Sequence, residues 1–284
     1  MKNKQTHILL AVFIAITVLP ILAGFIYAAL SAFGLAGYLG NGFTWMYWQQ
    51  AFDMQVLPAI GFYSLAITCV VLFLATIIGM FVVLYFKEKT QSGVLSYLLY
   101  LPMAIPLISA ASLTLHFLGN AGLLARFAYL LNLIESPGDF PDMVQDRWSI
   151  GIVITHTIIA AAYFSILFSA IFKQNTIQAY MDAAHTLGAG KKQVIRKIVL
   201  PLVLNKALPS IILYGVFIFG SYEVPMLLGQ QEPQMISVSI AQKFTRYNLA
   251  DVPVAYALAS MYTIVVVAVL FILFKKGKLI HEVE

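Results

Sequence analysis

Six apolar stretches, each long enough to cross a lipid hydrocarbon layer, constrain this chain more than any other feature. They run roughly Ile8–Leu30, Val56–Phe86, Gly93–Leu118, Ser149–Phe172, Pro201–Leu228 and Pro253–Phe274. A spanning helix needs about 20 mostly apolar residues. In lipid every backbone N–H and C=O must be satisfied inside the protein, so long apolar runs of this kind cross as helices. The expectation is an all-α polytopic membrane protein with six transmembrane helices. Charge content agrees: 10% of residues are charged, against about 25% in a soluble domain. The stretch at 56–86 is long enough to tilt or to run past the hydrocarbon.

The first stretch follows Met1-Lys2-Asn3-Lys4, which looks like the charged start of a signal peptide. Its apolar run is about twice the usual signal core, so a retained first span is expected. Basic residues mark the cytoplasmic side. With the N-terminus inside, all of the 17 Lys and Arg except Arg126, Arg147, Lys243 and Arg246 fall on that side, Lys87 and Lys89 included. Both termini are therefore expected in the cytoplasm. The external loops, roughly 31–55, 119–148 and 229–252, are too short to hold cores of their own. The chain reads as one transmembrane domain, 1–284. The net charge of +5 follows from this one-sided distribution and gives no sign of nucleic-acid binding. The single cysteine, Cys69, excludes an internal disulfide and a cysteine-based metal site. It reads as a small buried hydrophobe.

Pro20, Pro102, Pro106, Pro209 and Pro225 lie within the apolar stretches. Each removes a helical donor or bends the helix. Trp45, Tyr47, Trp48 and Trp148 read as membrane-interface anchors.

One polar insert, about 173–200, separates the fourth and fifth stretches. Ile177, Tyr180, Ala184 and Leu187 recur at helical spacing and predict a short amphipathic helix with one apolar face. Ala183 and Ala184 allow another surface to approach the backbone. Gly188 and Gly190 permit a turn with positive φ. A second helix follows, with Val194, Ile195 and Ile198 beside Lys191, Lys192, Arg196 and Lys197, and enters the fifth span through Pro201. Periodicity leaves two readings open: a helix lying on lipid headgroups, or a docking knob for a cytoplasmic partner.

The residues Asp182-Ala183-Ala184, then Gly188, then Ile198, Leu200 and Pro201 resemble the "EAA" signature of permease subunits of bacterial ABC importers. Every fixed position agrees except the first, where Asp182 stands for Glu. Phe219–Gly229 and Ala250–Ala259 look like the C-terminal half of the spermidine/putrescine-type permeases, and the likeness covers about 56–275. The resemblance implies a type I importer permease of the MetI-like fold in the bacterial inner membrane, forming the pathway for a small solute: a polyamine first, with iron, thiamine, a phosphonate or another small molecule as the alternative. It implies that Asp182, Ala183, Ala184, Leu187, Gly188, Ile198 and Pro201 belong to a coupling segment gripped by a separate ATPase subunit, present in two copies. It further implies a second permease subunit, a different chain being favoured over an identical one, and an extracytoplasmic solute-binding protein. ATP and magnesium would belong to the ATPase subunits. This chain has no G-x-x-x-x-G-K-[ST] phosphate loop, and no catalytic or metal-binding residue is expected in it.

Ionisable residues inside spans are expensive and tend to face a cavity. His116, His156 and Glu223 are the candidates. Glu223 beside Tyr222 and Ser221 suits a cation such as a polyamine; it suits a hydrated outer rim as well. His156, between Thr155 and Thr157, fits either a pathway residue or a hydrogen-bonded core residue. His116 reads as interfacial. An ion-gradient transporter would be expected to show charges at the midplane and broken helices in both halves, and the spans are nearly free of charge. An intramembrane serine protease would need a serine motif to accompany His156, and no G-x-S-x run does.

Overall fold

The computed structural model describes residues 2–37, 40, 42–53, 56–86 and 93–281. Lys87 and Lys89, counted above as inner-side charges, lie outside the described residues. Among the described residues the chain is helical, with no strand. Six helices have the length and composition to cross a membrane: Leu9–Ala32, Pro58–Tyr85, Leu107–Leu130, Ile150–Phe172, Lys191–Phe219 and Asp251–Leu273. The count expected from hydropathy holds. Two boundaries do not.

The third apolar stretch is interrupted. Helices α4 (Val94–Ala104) and α5 (Leu107–Leu118) are separated at Ile105, whose ψ of 124° is extended. Pro106 is the cause, because its ring drives the preceding residue out of the helical region. After a turn at 119–122, α6 (Leu123–Leu130) continues into what hydropathy assigned to an external loop. The fifth stretch differs at both ends. Its helix starts at Lys191 as α9 (Lys191–Val194), passes through a π segment (Ile195–Val199) and continues as α10 (Leu200–Phe219). Pro201 has no N–H for the Lys197 carbonyl, and its ring crowds that group. The wider π turn just before it relieves the crowding. Gly220 ends α10, and Tyr222 opens a separate short helix, α11 (Glu223–Leu228). Pro225 sits in the first turn of α11, where no intrahelical donor is lost.

The chain packs as two compact units, 60–236 and the pair 1–59 with 237–284. In the first unit α7 (Ile150–Phe172) is the most enclosed span. Its Gly151, Ala160, Ala161, Ala162, Ser165 and Ser169 are buried, and small residues of this kind let neighbouring helices approach in lipid. The helix α3 (Val56–Tyr85) uses that room: a Cβ placed on Gly79 would stand 3.0 Å from Phe164 Cβ and 3.1 Å from the Ser165 nitrogen. Phe164 stacks on Phe168 at 5.7 Å and meets Tyr214 of α10 at 5.4 Å. Four hydroxyls in these spans are satisfied locally. Ser64, Thr68, Thr155 and Ser165 each donate to the carbonyl four residues earlier, the economical solution in lipid. Thr114 and Thr155 also join α5 to α7 at 2.8 Å. Cys69 is exposed, which corrects the expectation of burial: a small apolar side chain suits the outer face of an apolar span as well as its core.

The second unit joins α1 (Lys2–Ala32), α2 (Met46–Asp53), α12 (Ile236–Thr245) and α13 (Asp251–His281). Tyr47, Trp48 and Ala51 of α2 are buried with Ala32, Val254, Ala257 and Leu258. Trp48 packs on Phe33 at 5.3 Å. Tyr47 and Trp48 are thus core residues rather than interface anchors, whereas Trp45 and Trp148 are exposed as the anchor reading requires.

Candidate functional site

The polar insert folds as helix, turn, helix. The first helix, α8 (Asn175–Thr186), has Leu187 as its C-cap. Gly188 follows at φ +80°. The Gly188 amide donates to the His185 carbonyl, and the Ala189 amide donates to the Ala184 carbonyl, each at 3.0 Å. These two crossed bonds form a Schellman closure, which calls for a left-handed residue, usually glycine, at this place. Nothing lies within 4 Å of a Cβ placed on Gly188, so the glycine is needed for its backbone angle and not for space. Gly190 then opens α9.

The faces of α8 are sorted by packing. Ile177 and Ala184 are buried at 1% and 8% exposure, with Met181 packed against the same cluster. Val194 and Val199, at the start of the next helix, complete that core at 1% and 0%. Tyr180 and Leu187 are exposed, Leu187 at 87%. The apolar face expected as one surface is therefore two. Ile177, Met181 and Ala184 face the protein, and Tyr180, Ala183 and Leu187 form an exposed stripe at i, i+3 and i+7. Asp182 is exposed beside it. Lys206 of α10 donates to Gln174 Oε1 at 2.6 Å and so ties the entry of α8 to the fifth span. Ile198 is half-buried, and Pro201 is exposed in the continuous helix.

The candidate pathway residues do not form one cluster. Ser221 is buried, and Tyr222 and Glu223 are exposed at the break between α10 and α11. Glu223 lies in the first turn of α11. No ion pair engages it among the described residues. His156 is fully buried in α7, and neither Nδ1 nor Nε2 has a hydrogen-bond partner. The adjacent Thr157 Oγ1 has none either. A core position was one of the two readings for His156; its hydrogen bonding is not seen. His116 is exposed beside Asn120 and Arg126, lining a cleft of about 650 Å³. No group of three or more His, Cys, Asp or Glu side chains able to hold a metal occurs among the described residues.

Sequence reasoning missed the anchor at the start of α7. Asp146 is buried and accepts from the Trp148 and Ile150 amides at 2.9 and 3.0 Å. Ser149 instead shares a 2.6 Å hydrogen bond with Tyr63 Oη of α3. The Gln145 amide donates to the Leu228 carbonyl at 2.8 Å. These bonds fix the 145–150 corner to α3 and to the end of α11. The signal available in the sequence was an Asp four residues ahead of an apolar run.

Residues 75–276 match the family described as binding-protein-dependent transport system inner membrane component. The match contains the whole insert. A curated relative, the probable ABC transporter permease protein y4fN of Sinorhizobium fredii (strain NBRC 101917 / NGR234), is 27% identical over 169 residues. That match takes in 57% of this chain and 28% of the relative's length. Among solved structures, a bacterial ABC transporter involved in the import of the acidic polysaccharide alginate superposes with a TM-score of 0.70 at 17% identity, over 98% of this chain and 96% of that one. A second alginate ABC transporter structure, in complex with an alginate pentasaccharide-bound periplasmic protein, gives 0.64 at 19% identity, over 95% and 91%. These two likenesses show the fold. The chain belongs to the family of binding-protein-dependent transport system inner membrane components.

Proposed function

We propose that this member of the inner membrane component family is the permease subunit of an ATP-driven importer, with α8 as the segment through which a separate ATPase subunit moves it. The observation that carries the reading is the form of α8. It is held rigidly from beneath by Ile177 and Ala184, closed by Gly188, and left with Tyr180 and Leu187 bare. An apolar ridge on a fixed cytoplasmic helix suits a groove in a partner. Two ATPase subunits, each gripping one such ridge, would convert closure around ATP into movement of the spans. In this reading ATP and magnesium belong to those subunits. Both termini and α8 lie on the cytoplasmic side, in line with the distribution of basic residues.

The pathway then runs between this chain and a second permease, a related but different chain, and a periplasmic binding protein delivers the solute. We favour a polyamine as that solute. The likeness of Phe219–Gly229 and Ala250–Ala259 to spermidine/putrescine-type permeases supports it. So does Glu223, an exposed carboxylate beside the exposed ring of Tyr222, a pairing suited to an ammonium group. The test is reconstitution of the chain with its ATPase, second permease and binding protein. ATP-dependent spermidine uptake is expected, and it should fall up to about fivefold in Glu223→Gln, since an exposed charge pair is worth up to about 1 kcal/mol. A binding protein that holds an anion and ignores spermidine would overturn the solute and leave the importer reading standing. Uptake driven by an ion gradient without ATP would overturn the importer reading.

A further inference from the structure

The insert carries a second exposed surface that docking through α8 does not use. The helix running from Lys191 to Phe219 has 29 residues. At about 1.5 Å per residue it is about 43 Å long, whereas the hydrocarbon core is about 30 Å thick. About nine residues, the excess of some 13 Å, therefore stand in the headgroup layer or beyond. The polar end is the N-terminal one, where Lys191–Lys197 carries four cations; Lys206, also counted on the inner side, follows on the same helix after the apolar run Leu200–Leu204.

Within this end the residues are sorted by face. Val194 and Val199 are buried in the core that also holds Ile177 and Ala184 of α8. Lys191, Lys192, Arg196 and Lys197 are exposed. Among the described residues none of the four is ion-paired. The α8 helix packs on α9 and the π segment, so the cations occupy the faces that α8 leaves uncovered. The helix start lacks a side-chain cap at Gly190. The Gln193 and Val194 amides turn back to the Gly190 carbonyl at 2.9 and 3.0 Å.

We propose that Lys191, Lys192, Arg196 and Lys197 form a collar that binds the phosphate groups of anionic membrane lipids. Length places the collar at headgroup depth, and four unpaired cations complement a phosphodiester surface. The two readings left open by periodicity then both apply, to different helices: α8 offers the docking ridge, and the start of the fifth span holds lipid. The anchored lipids would brace the end of the lever that α8 moves.

The test uses the full chain in phosphatidylcholine vesicles containing spin-labelled phosphatidylglycerol or spin-labelled phosphatidylcholine. The motionally restricted fraction of each label reports lipid held at the protein. Wild type is expected to prefer phosphatidylglycerol several-fold, since each basic residue near a charged surface contributes about fivefold in binding. The preference should fall to near parity in the variant K191Q/K192Q/R196Q/K197Q. It should also vanish near 1 M salt, where the screening length is about 3 Å. The charge-preserving variant K191R/K192R should keep it. If the quadruple variant is poorly folded, Arg196→Gln and Lys197→Gln alone, neither in the core, should each reduce it. A preference that survives the neutralisation overturns the proposal and gives the face to a protein partner. A preference that millimolar inorganic phosphate abolishes also overturns it, in favour of a free anion site.

Discussion

The amide of Ala189 reaches back 3.0 Å to the carbonyl of Ala184, and that bond spans the residue whose backbone no side chain would choose. Gly188 lies between them at φ +80°. Replacing it with alanine introduces no clash but forces a Cβ into the left-handed region, at about 1–2 kcal/mol. Gly188→Ala should therefore loosen the end of α8, seen as faster hydrogen exchange at the 188 and 189 amides. Gly188→Asn should loosen it less, because asparagine tolerates this conformation better.

On the docking role proposed for α8, the sorting of its faces separates binding from stability. Leu187→Asp and Ala183→Arg should abolish co-purification with the ATPase subunit and leave the thermal midpoint of the isolated chain unchanged. Ile177→Ala should lower that midpoint. Its side chain is 1% exposed, and truncation there costs about 2–5 kcal/mol. If Leu187→Asp associated normally, the exposed stripe would not be the docking ridge.

His156 is predicted to weaken the fold. A buried polar group without a partner costs about 1–3 kcal/mol. His156→Leu, close in volume, should raise the thermal midpoint in detergent. A lowered midpoint would mean that the imidazole is satisfied.

Two glycines of α3 should respond oppositely. Gly79→Ala presses a methyl against the α7 backbone at 3.1–3.2 Å and should destabilise by about 1–3 kcal/mol. A Cβ on Gly61 meets nothing within 4 Å, so Gly61→Ala should stabilise by up to about 1 kcal/mol through helix propensity. Paired unfolding curves of the two variants check the contrast.

Asp146 should matter more than its loop position suggests. Asp146→Ala removes the acceptor for the Ile150 amide and should cost about 0.5–2 kcal/mol. Proteolysis at the 145–150 corner should quicken accordingly.

Long-range hydropathy was enough to count the spans and to find the insert, because both depend on composition over twenty residues or more. The motif around Gly188 was legible for a local reason: its spacing encodes a helix closure made by residues within one turn. What depended on neighbours was not legible. Tyr180 and Ile177 are both apolar, and only the packing of Val194 and Val199 shows which one is covered. Trp48 and Trp148 look alike in sequence, yet one packs against Phe33 and the other is exposed. The unpartnered imidazole of His156 follows from the shape of a whole core. The breaks at Ile105 and Gly220 lay between: Pro106 signalled the first, but which proline breaks a helix and which is absorbed, as Pro102 and Pro209 are, depends on the surroundings.

The π turn at Ile195–Val199 bears on how the motif itself is spaced. A π turn holds one residue more than the α-helical rise it fills, which is the signature of a single-residue insertion. The interval from Gly188 to Pro201 therefore counts a residue that a straight helix would not contain. Deleting one residue between 195 and 199 would let the π turn close to an α turn and leave what lies upstream facing nearly the same way, whereas deleting one from the α-helical Lys191–Val194 would turn it by about 100° relative to the span. The spacing from Gly188 to Pro201 thus sets an angle: it fixes the direction in which α8 points.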